Sequence, residues 1–166
     1  MLLTKPEILK AFKQKRVNIE PFDKTAVGPA SIDLTLDKYI RVFHLKKKVI
    51  SEHTDYKKIT TKINISKGYL LKPGELVLGI TKEKITLAEN IAGWINSRSR
   101  FARIGLMSHI TAPFIAPGVS NKQVLEIYNA SRQTIKLMPG TKICQLVLQE
   151  CKGKAKYEGL FMKQEL

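Results

Sequence analysis

Cysteine is scarce in this chain, and histidine is scattered. Only Cys144 and Cys151 occur among the 166 residues, at a spacing that is neither C-x-x-C nor a disulfide framework. Both read as free thiols in a reducing compartment. His44, His53 and His109 lie far apart, and no His-x-Glu precedes a Pro-Cys-x-x-Cys. That excludes the signature of zinc-dependent base deaminases, and no other metal-ligand spacing is present, so no metal site is expected. Long apolar runs are missing too: none approaches the ~20 residues that span a bilayer. The amino-terminal MLLTKPEILK lacks the apolar core and small-residue cleavage site of a signal peptide. A cytoplasmic protein with no membrane association is expected. Without repeats, linkers or low-complexity tracts, residues 1–166 read as one domain.

Positive charge is abundant. Lys and Arg number 29 against 14 Asp and Glu, a formal charge of +15. Nucleic acid, an anionic membrane or a polyphosphate substrate would each match it, as would a surface merely solvated by lysine, the plain reading of Lys46-Lys47-Lys48. The distribution is more informative than the sum. Between Asn90 and Gln149 the only acidic residue is Glu126, in a window that also holds Arg98, Arg100, Arg103, Lys122, Arg132, Lys136 and Lys142.

Local patterning predicts a mainly β protein. Thr4-Lys5-Pro6-Glu7 has the form of a capping box, and Ile8, Leu9 and Phe12 follow at helical spacing, predicting a short helix to about residue 15. Beyond it, SIDLTL alternates Ile32, Leu34 and Leu36 with Asp33, Thr35 and Asp37. Pro73-Gly74 and Pro139-Gly140 each introduce a strand. Such runs predict an all-β barrel or sandwich, interrupted by a helical turn in SRSRFARIGL. The basic carboxy-terminal stretch, residues 152–166, reads as a mobile tail able to order over a ligand.

Two stretches offer chemistry. Arg98, Arg100 and Arg103 fall within six residues, with Ser99 between the first two. Guanidiniums grip phosphate oxygens bidentately, and the start of a helical turn adds N–H donors, although a solvated basic turn has the same pattern. In QVLEIYN, Val124, Glu126 and Tyr128 share one strand face and Leu125 and Ile127 the other. Glu126 is then either a surface carboxylate paired with an arginine or a cleft carboxylate poised for proton transfer. Pattern alone leaves both open.

These pieces together resemble the dCTP deaminases, the metal-free branch of the dUTPase-like superfamily. The family's arginine-serine motif corresponds to Ser97-Arg98-Ser99-Arg100-Phe101-Ala102-Arg103-Ile104-Gly105-Leu106. Its His-Val-Thr-Ala stretch corresponds to His109-Ile110-Thr111-Ala112, and its catalytic Leu-Glu-Phe to Leu125-Glu126-Ile127. SIDLTL, PGELVLGITKEKITL and LMPGTKICQLVLQE extend the likeness over about residues 5–160. The resemblance implies a dUTPase-like distorted, jelly-roll-like β-barrel with a short amino-terminal helix. It further implies a homotrimer with sites between subunits, and hydrolytic deamination of dCTP to dUTP and ammonia without zinc, Mg²⁺ accompanying the triphosphate. Glu126 would relay protons to and from the water that attacks C4, and the Ala112 carbonyl would hold that water. Ser99 and Arg103 would orient and polarise the site. Arg98 and the N–H groups around Ser99, Arg100 and Phe101 would hold the triphosphate, Ala102 and Arg103 would also contact the substrate, Val124, Leu125 and Glu126 would edge the base, and Lys156 would reach the phosphates.

The chain also departs from the family pattern. Ser97 and Arg100 replace a glycine and a serine, and Leu160 stands near a usual glutamine. Ala116 replaces an aspartate that sits near the deoxyribose and, in dUTPases, positions the water that attacks the α-phosphate. On that ground dUTP, with little onward hydrolysis to dUMP, is the expected end product. The alternatives are a bifunctional deaminase and dUTPase, a plain dUTPase, or a non-catalytic nucleotide- or nucleic-acid-binding protein, nucleic acid not being the expected partner.

Overall fold

The computed structural model describes residues 1–45, 49–159, 161–162 and 164–166. Lys46-Lys47-Lys48 and Leu160, both singled out in the sequence, lie outside the described residues.

The first helix, α1 (Lys5–Lys13), buries Ile8 and Ala11 against the sheet, with Leu9 and Phe12 partly covered. Thr4 is its N-cap, but the side chain makes no capping bond, and Glu7 pairs with Lys10 at 3.4 Å instead. The capping box is therefore not formed. The helix also stops short of residue 15, because Lys15 adopts a left-handed φ of 56° that cannot continue it.

Strands then dominate: β1 (Val17–Glu20), β2 (Ile32–Phe43), β3 (Thr60–Asn64), β4 (Tyr69–Leu71), β5 (Leu76–Leu87) and β6 (Ile91–Ser97). A one-turn helix, α2 (Ser99–Ala102), precedes β7 (Leu106–Met107), β8 (Phe114–Ile115), β9 (Ser120–Asn129), β10 (Ile135–Leu137) and β11 (Lys142–Glu150). Nine of them form one antiparallel sheet in the order β7-β9-β5-β2-β11-β6-β8, with β1 added to β5 and β3 to β2, while β4 and β10 pair separately. Register breaks fall between Leu36 and Ile40 in β2 and between Ile80 and Lys84 in β5. Such irregularities bend a strand and increase its twist, and here the sheet curls into a half-barrel.

Alternation sets the two faces. Ile32, Leu34 and Leu36 of β2, Leu125 and Ile127 of β9, and Leu146 and Leu148 of β11 are all fully buried in one core. The Pro73-Gly74 and Pro139-Gly140 turns sit where expected, each glycine at positive φ. One further glycine is indispensable. Gly105 has φ +78°, and a Cβ there would lie 2.7 Å from the Cβ of Ser131. It turns the chain from α2 into β7 and fixes how the arginine-rich turn meets the sheet.

Candidate active site

Glu126 lies on the face of β9 opposite Leu125 and Ile127, as the alternation requires. It looks into a cavity of about 710 Å³. The floor comes from β5 and β9 (Leu76, Leu78, Val124), one wall from the segment 109–112 and another from Phe114, Ile115, Ala116 and Val119. Phe43, Tyr56, Asn121, Gln123, Tyr157, Phe161 and Gln164 complete the lining, and Glu126 is the one carboxylate among the described lining residues. In such apolar surroundings a few convergent polar groups set the chemistry.

Three donors converge on that carboxylate. The Thr111 N–H donates to Oε2 at 2.6 Å and the Ile110 N–H to the same oxygen at 3.2 Å. The Thr111 hydroxyl donates to Oε1 at 2.6 Å. On the backbone side, the Glu126 N–H donates to His109 Nδ1 at 3.4 Å. Burial pushes the carboxyl up, but the hydrogen bonds from Thr111 and Ile110 and the nearby His109 outweigh it, holding Glu126 below the ordinary glutamate value. Glu126 is thus ionised and ready to accept a proton.

The arginine-rich turn is elsewhere. Among the described residues, Arg98, Ser99, Arg100, Phe101, Ala102 and Arg103 do not line the cavity that contains Glu126. Ser99, Arg100, Ala102 and Arg103 are exposed, and Phe101 packs half-buried against the core. Arg98 is already occupied: it pairs with Asp33 at 3.1 Å and donates to the Lys142 carbonyl at 2.7 Å. Ser97, where the family has glycine, puts its hydroxyl to use, accepting from the Ser108 N–H at 3.1 Å and bonding the Ser108 hydroxyl at 2.9 Å. Ser108 is fully buried and immediately precedes His109. The entry to α2 is therefore tied to the loop that grips Glu126.

Of the remaining expected residues, Val124 and Ala112 line the cavity. Leu125 does not, since its side chain is fully buried in the core and only its main chain can edge a ligand. Lys156 is exposed and lies over the turn at Gly118, whose added Cβ would meet Lys156 Cγ at 3.0 Å. Its neighbour Tyr157 enters the cavity instead, its N–H bonded to the Pro117 carbonyl at 3.0 Å. Ala116 is in the lining and presents only a methyl group. Sequence reading missed Thr111 as a partner of Glu126, although it sits inside the quoted His-Ile-Thr-Ala stretch. It also missed Phe43 and Tyr56, for which no motif gives a signal.

No group of three or more His, Cys, Asp or Glu side chains among the described residues is placed to hold a metal ion. Cys144 is fully buried, and burial pushes its thiol well above the usual range, so it is poorly suited to act as a nucleophile. Among the described residues, no helix is long and apolar enough to cross a membrane.

The family model described as dCTP deaminase-like matches residues 2–151. This chain belongs to the dCTP deaminase-like family. A relative from Corynebacterium glutamicum named "dCTP deaminase, dUMP-forming" is 37% identical over 158 residues, covering 93% of this chain and 84% of the relative. One of the same name from Mycolicibacterium smegmatis is 40% identical over 151 residues, covering 89% and 80%. Among solved structures, the 2'-deoxycytidine 5'-triphosphate deaminase of Agrobacterium tumefaciens superposes with a TM-score of 0.70 at 20% identity, over 89% of this chain. This chain spans 47% of that longer protein. A Staphylococcus bacteriophage 80alpha dUTPase superposes at 0.52 with 14% identity, over 87% of this chain and 96% of the other. The half-barrel of this dCTP deaminase-like chain is therefore the dUTPase-like fold expected from the sequence. The relatives' names run against one expectation: they are called dUMP-forming, whereas Ala116 pointed to dUTP as the end product.

Proposed function

We propose that this chain hydrolyses the exocyclic amine of dCTP and carries the resulting dUTP on to dUMP. The observation that supports it best is Glu126, the one carboxylate among the described residues lining a largely apolar cavity, held ionised by donors from Ile110 and Thr111 at the position that resembles the family's catalytic glutamate.

An ionised carboxylate can take the proton of a water attacking C4 of cytosine, then return protons to N3 and to the departing ammonia. A carboxylate has about four lone-pair directions, and three donors leave room for a water. Closing the cavity around a base would strengthen the desolvation that already pushes Glu126 upward, making the carboxylate a stronger acceptor for the water's proton. Ala112, in the same wall, would offer its carbonyl to the water. Val124 and the main chain of Leu125 would border the base. Ser99, Arg100, Phe101, Ala102 and Arg103 would receive the triphosphate, Arg103 also steadying charge at the reacting centre, with Lys156 and Arg98 assisting. Mg²⁺ would travel with the triphosphate as part of the substrate.

Among the described residues, the arginine-rich turn does not line the Glu126 cavity of its own chain. The reading therefore includes a homotrimer in which a neighbouring copy brings its arginine-rich turn to the Glu126 cavity. Exposed Trp94, Met107, Ile110 and Phe114 give this region apolar surface for a second copy to cover. The number three comes from the family resemblance.

The dUMP end point follows the names of the relatives. Ala116 cannot hold the water for the second step, so another group of the assembled site must. Ammonia release from dCTP, with chromatography of the nucleotide products, tests both steps. No ammonia would refute the deaminase reading, and dUTP accumulating without dUMP would refute the second step alone.

A further inference from the structure

The carboxy-terminal segment forms no strand among its described residues, yet it is seated on the body of its own chain. The Asn121 side chain donates to the Phe161 carbonyl at 2.9 Å and to that of Met162 at 3.4 Å. Gln164 donates to the Lys122 carbonyl at 3.0 Å. On the opposite rim, the Tyr56 hydroxyl donates to the Glu165 carbonyl at 2.9 Å. Asn121 and Lys122 begin β9, which carries Glu126, whereas Tyr56 belongs to the connection between β2 and β3. The segment thus bridges two rims of the Glu126 cavity, with Phe161 and Gln164 facing inward.

Tyr56 is itself held in place. It opens a short 3₁₀ turn, Tyr56–Lys58, capped by the Asp55 side chain, which accepts from the Lys57 N–H at 2.9 Å. Its carbonyl accepts from the Thr60 hydroxyl at 2.7 Å. Its ring lies 5.7 Å from the guanidinium carbon of Arg41, whose Nη1 is bonded to the Thr60 hydroxyl at 3.0 Å. Arg41 stands opposite Leu78, and Leu78 opposite Glu126, in one cross-strand row of the sheet. Tyr56 is therefore a rigid post on the cavity rim, with its hydroxyl aimed at the segment that crosses it.

We propose that Tyr56 is a positioning residue: a catch that holds the carboxy-terminal segment closed over the Glu126 cavity and so sets how firmly nucleotide is retained. This rests on the functional reading above for the nature of the ligand, but not for the catch itself. A segment whose described residues form no strand is held over the cavity mainly by a few bonds from side chains, so losing one shifts its open and closed populations several-fold. Closure excludes water from the cavity and retains the ligand, so loosening it acts mainly on KM.

The test uses the full chain and Tyr56→Phe, which removes the hydroxyl and leaves the ring on Arg41. Hydrogen exchange of residues 157–166, without nucleotide, should become about three- to tenfold faster. KM for dCTP should rise by a similar factor and carry most of the change in kcat/KM. Tyr56→Ala, which also removes the ring, should exceed both effects. Unchanged exchange overturns the proposal, and so does faster exchange with an unaltered KM. If the wild-type chain releases no ammonia from dCTP, the functional reading has failed, and the exchange measurement still decides the catch.

Discussion

Thr111 holds Glu126 twice, its backbone N–H on one carboxylate oxygen and its hydroxyl on the other, both at 2.6 Å. These bonds are the main force keeping Glu126 below its ordinary value against the opposing push of burial. Because the folded value is depressed, the associated stability is present above the unfolded value and disappears as pH falls through the folded one. The acid limb of kcat/KM, which reports the free enzyme, should accordingly lie below the ordinary glutamate value. Thr111→Val should move that limb upward and cost about 1 kcal/mol near neutral pH, once solvent exposure of Thr111 is allowed for. A pH profile and a urea titration check the two parts; an unmoved acid limb would show that another group titrates there.

Arg98 and Arg103 should differ in kind. Arg98 is tied to Asp33 and the Lys142 carbonyl, so Arg98→Ala should destabilise the fold by about 1–3 kcal/mol, leaving a partly buried carboxylate unpaired. Arg103 is exposed, so Arg103→Ala should leave stability within about 0.5 kcal/mol while lowering kcat. Denaturant titration beside steady-state kinetics separates them. Equal losses of stability would contradict the ion-pair role of Arg98.

If each site draws Glu126 from one copy and Arg103 from its neighbour, inactive variants should complement. Co-expressed Glu126→Gln and Arg103→Ala chains, mixing at random, should regain about a quarter of wild-type activity, because half the sites receive each intact partner independently. Activity no higher than that of the separate variants would mean that each chain builds its site alone.

The product test turns on Ala116. A digest of dCTP should yield dUMP and pyrophosphate, and Ala116→Asp should change the ratio of dUMP to ammonia by less than twofold, since the second step is assigned to a group other than Ala116. Accumulation of dUTP by the wild type, with dUMP appearing only in Ala116→Asp, would restore the expectation drawn from the sequence.

Legibility in the sequence followed the range of the interactions. The faces of β9 could be read because alternation is local: Leu125 and Ile127 are fully buried and Glu126 is not. The Pro-Gly turns and the helical turn at Ser99 were likewise visible, being fixed by backbone conformations within a few residues. The capping box was misread because Glu7 had a competing partner one turn away in Lys10. What sequence could not supply were pairings closed only by the fold, such as Arg98 with Asp33 and Tyr56 with the Glu165 carbonyl. The same holds for Thr111 and Glu126, whose two stretches were legible separately but whose hydrogen bonds were not.

Ammonia released from dCTP by the wild-type chain and by Glu126→Gln is the most direct measurement of the central claim. The amide fits the same place: its oxygen can accept from the Ile110 and Thr111 N–H groups, and the Thr111 hydroxyl can turn to accept from its NH₂. Nucleotide binding should therefore persist, while turnover falls by about 10²–10⁴-fold or more for want of a general base. A Glu126→Gln chain that keeps more than about a tenth of wild-type turnover would contradict the assignment.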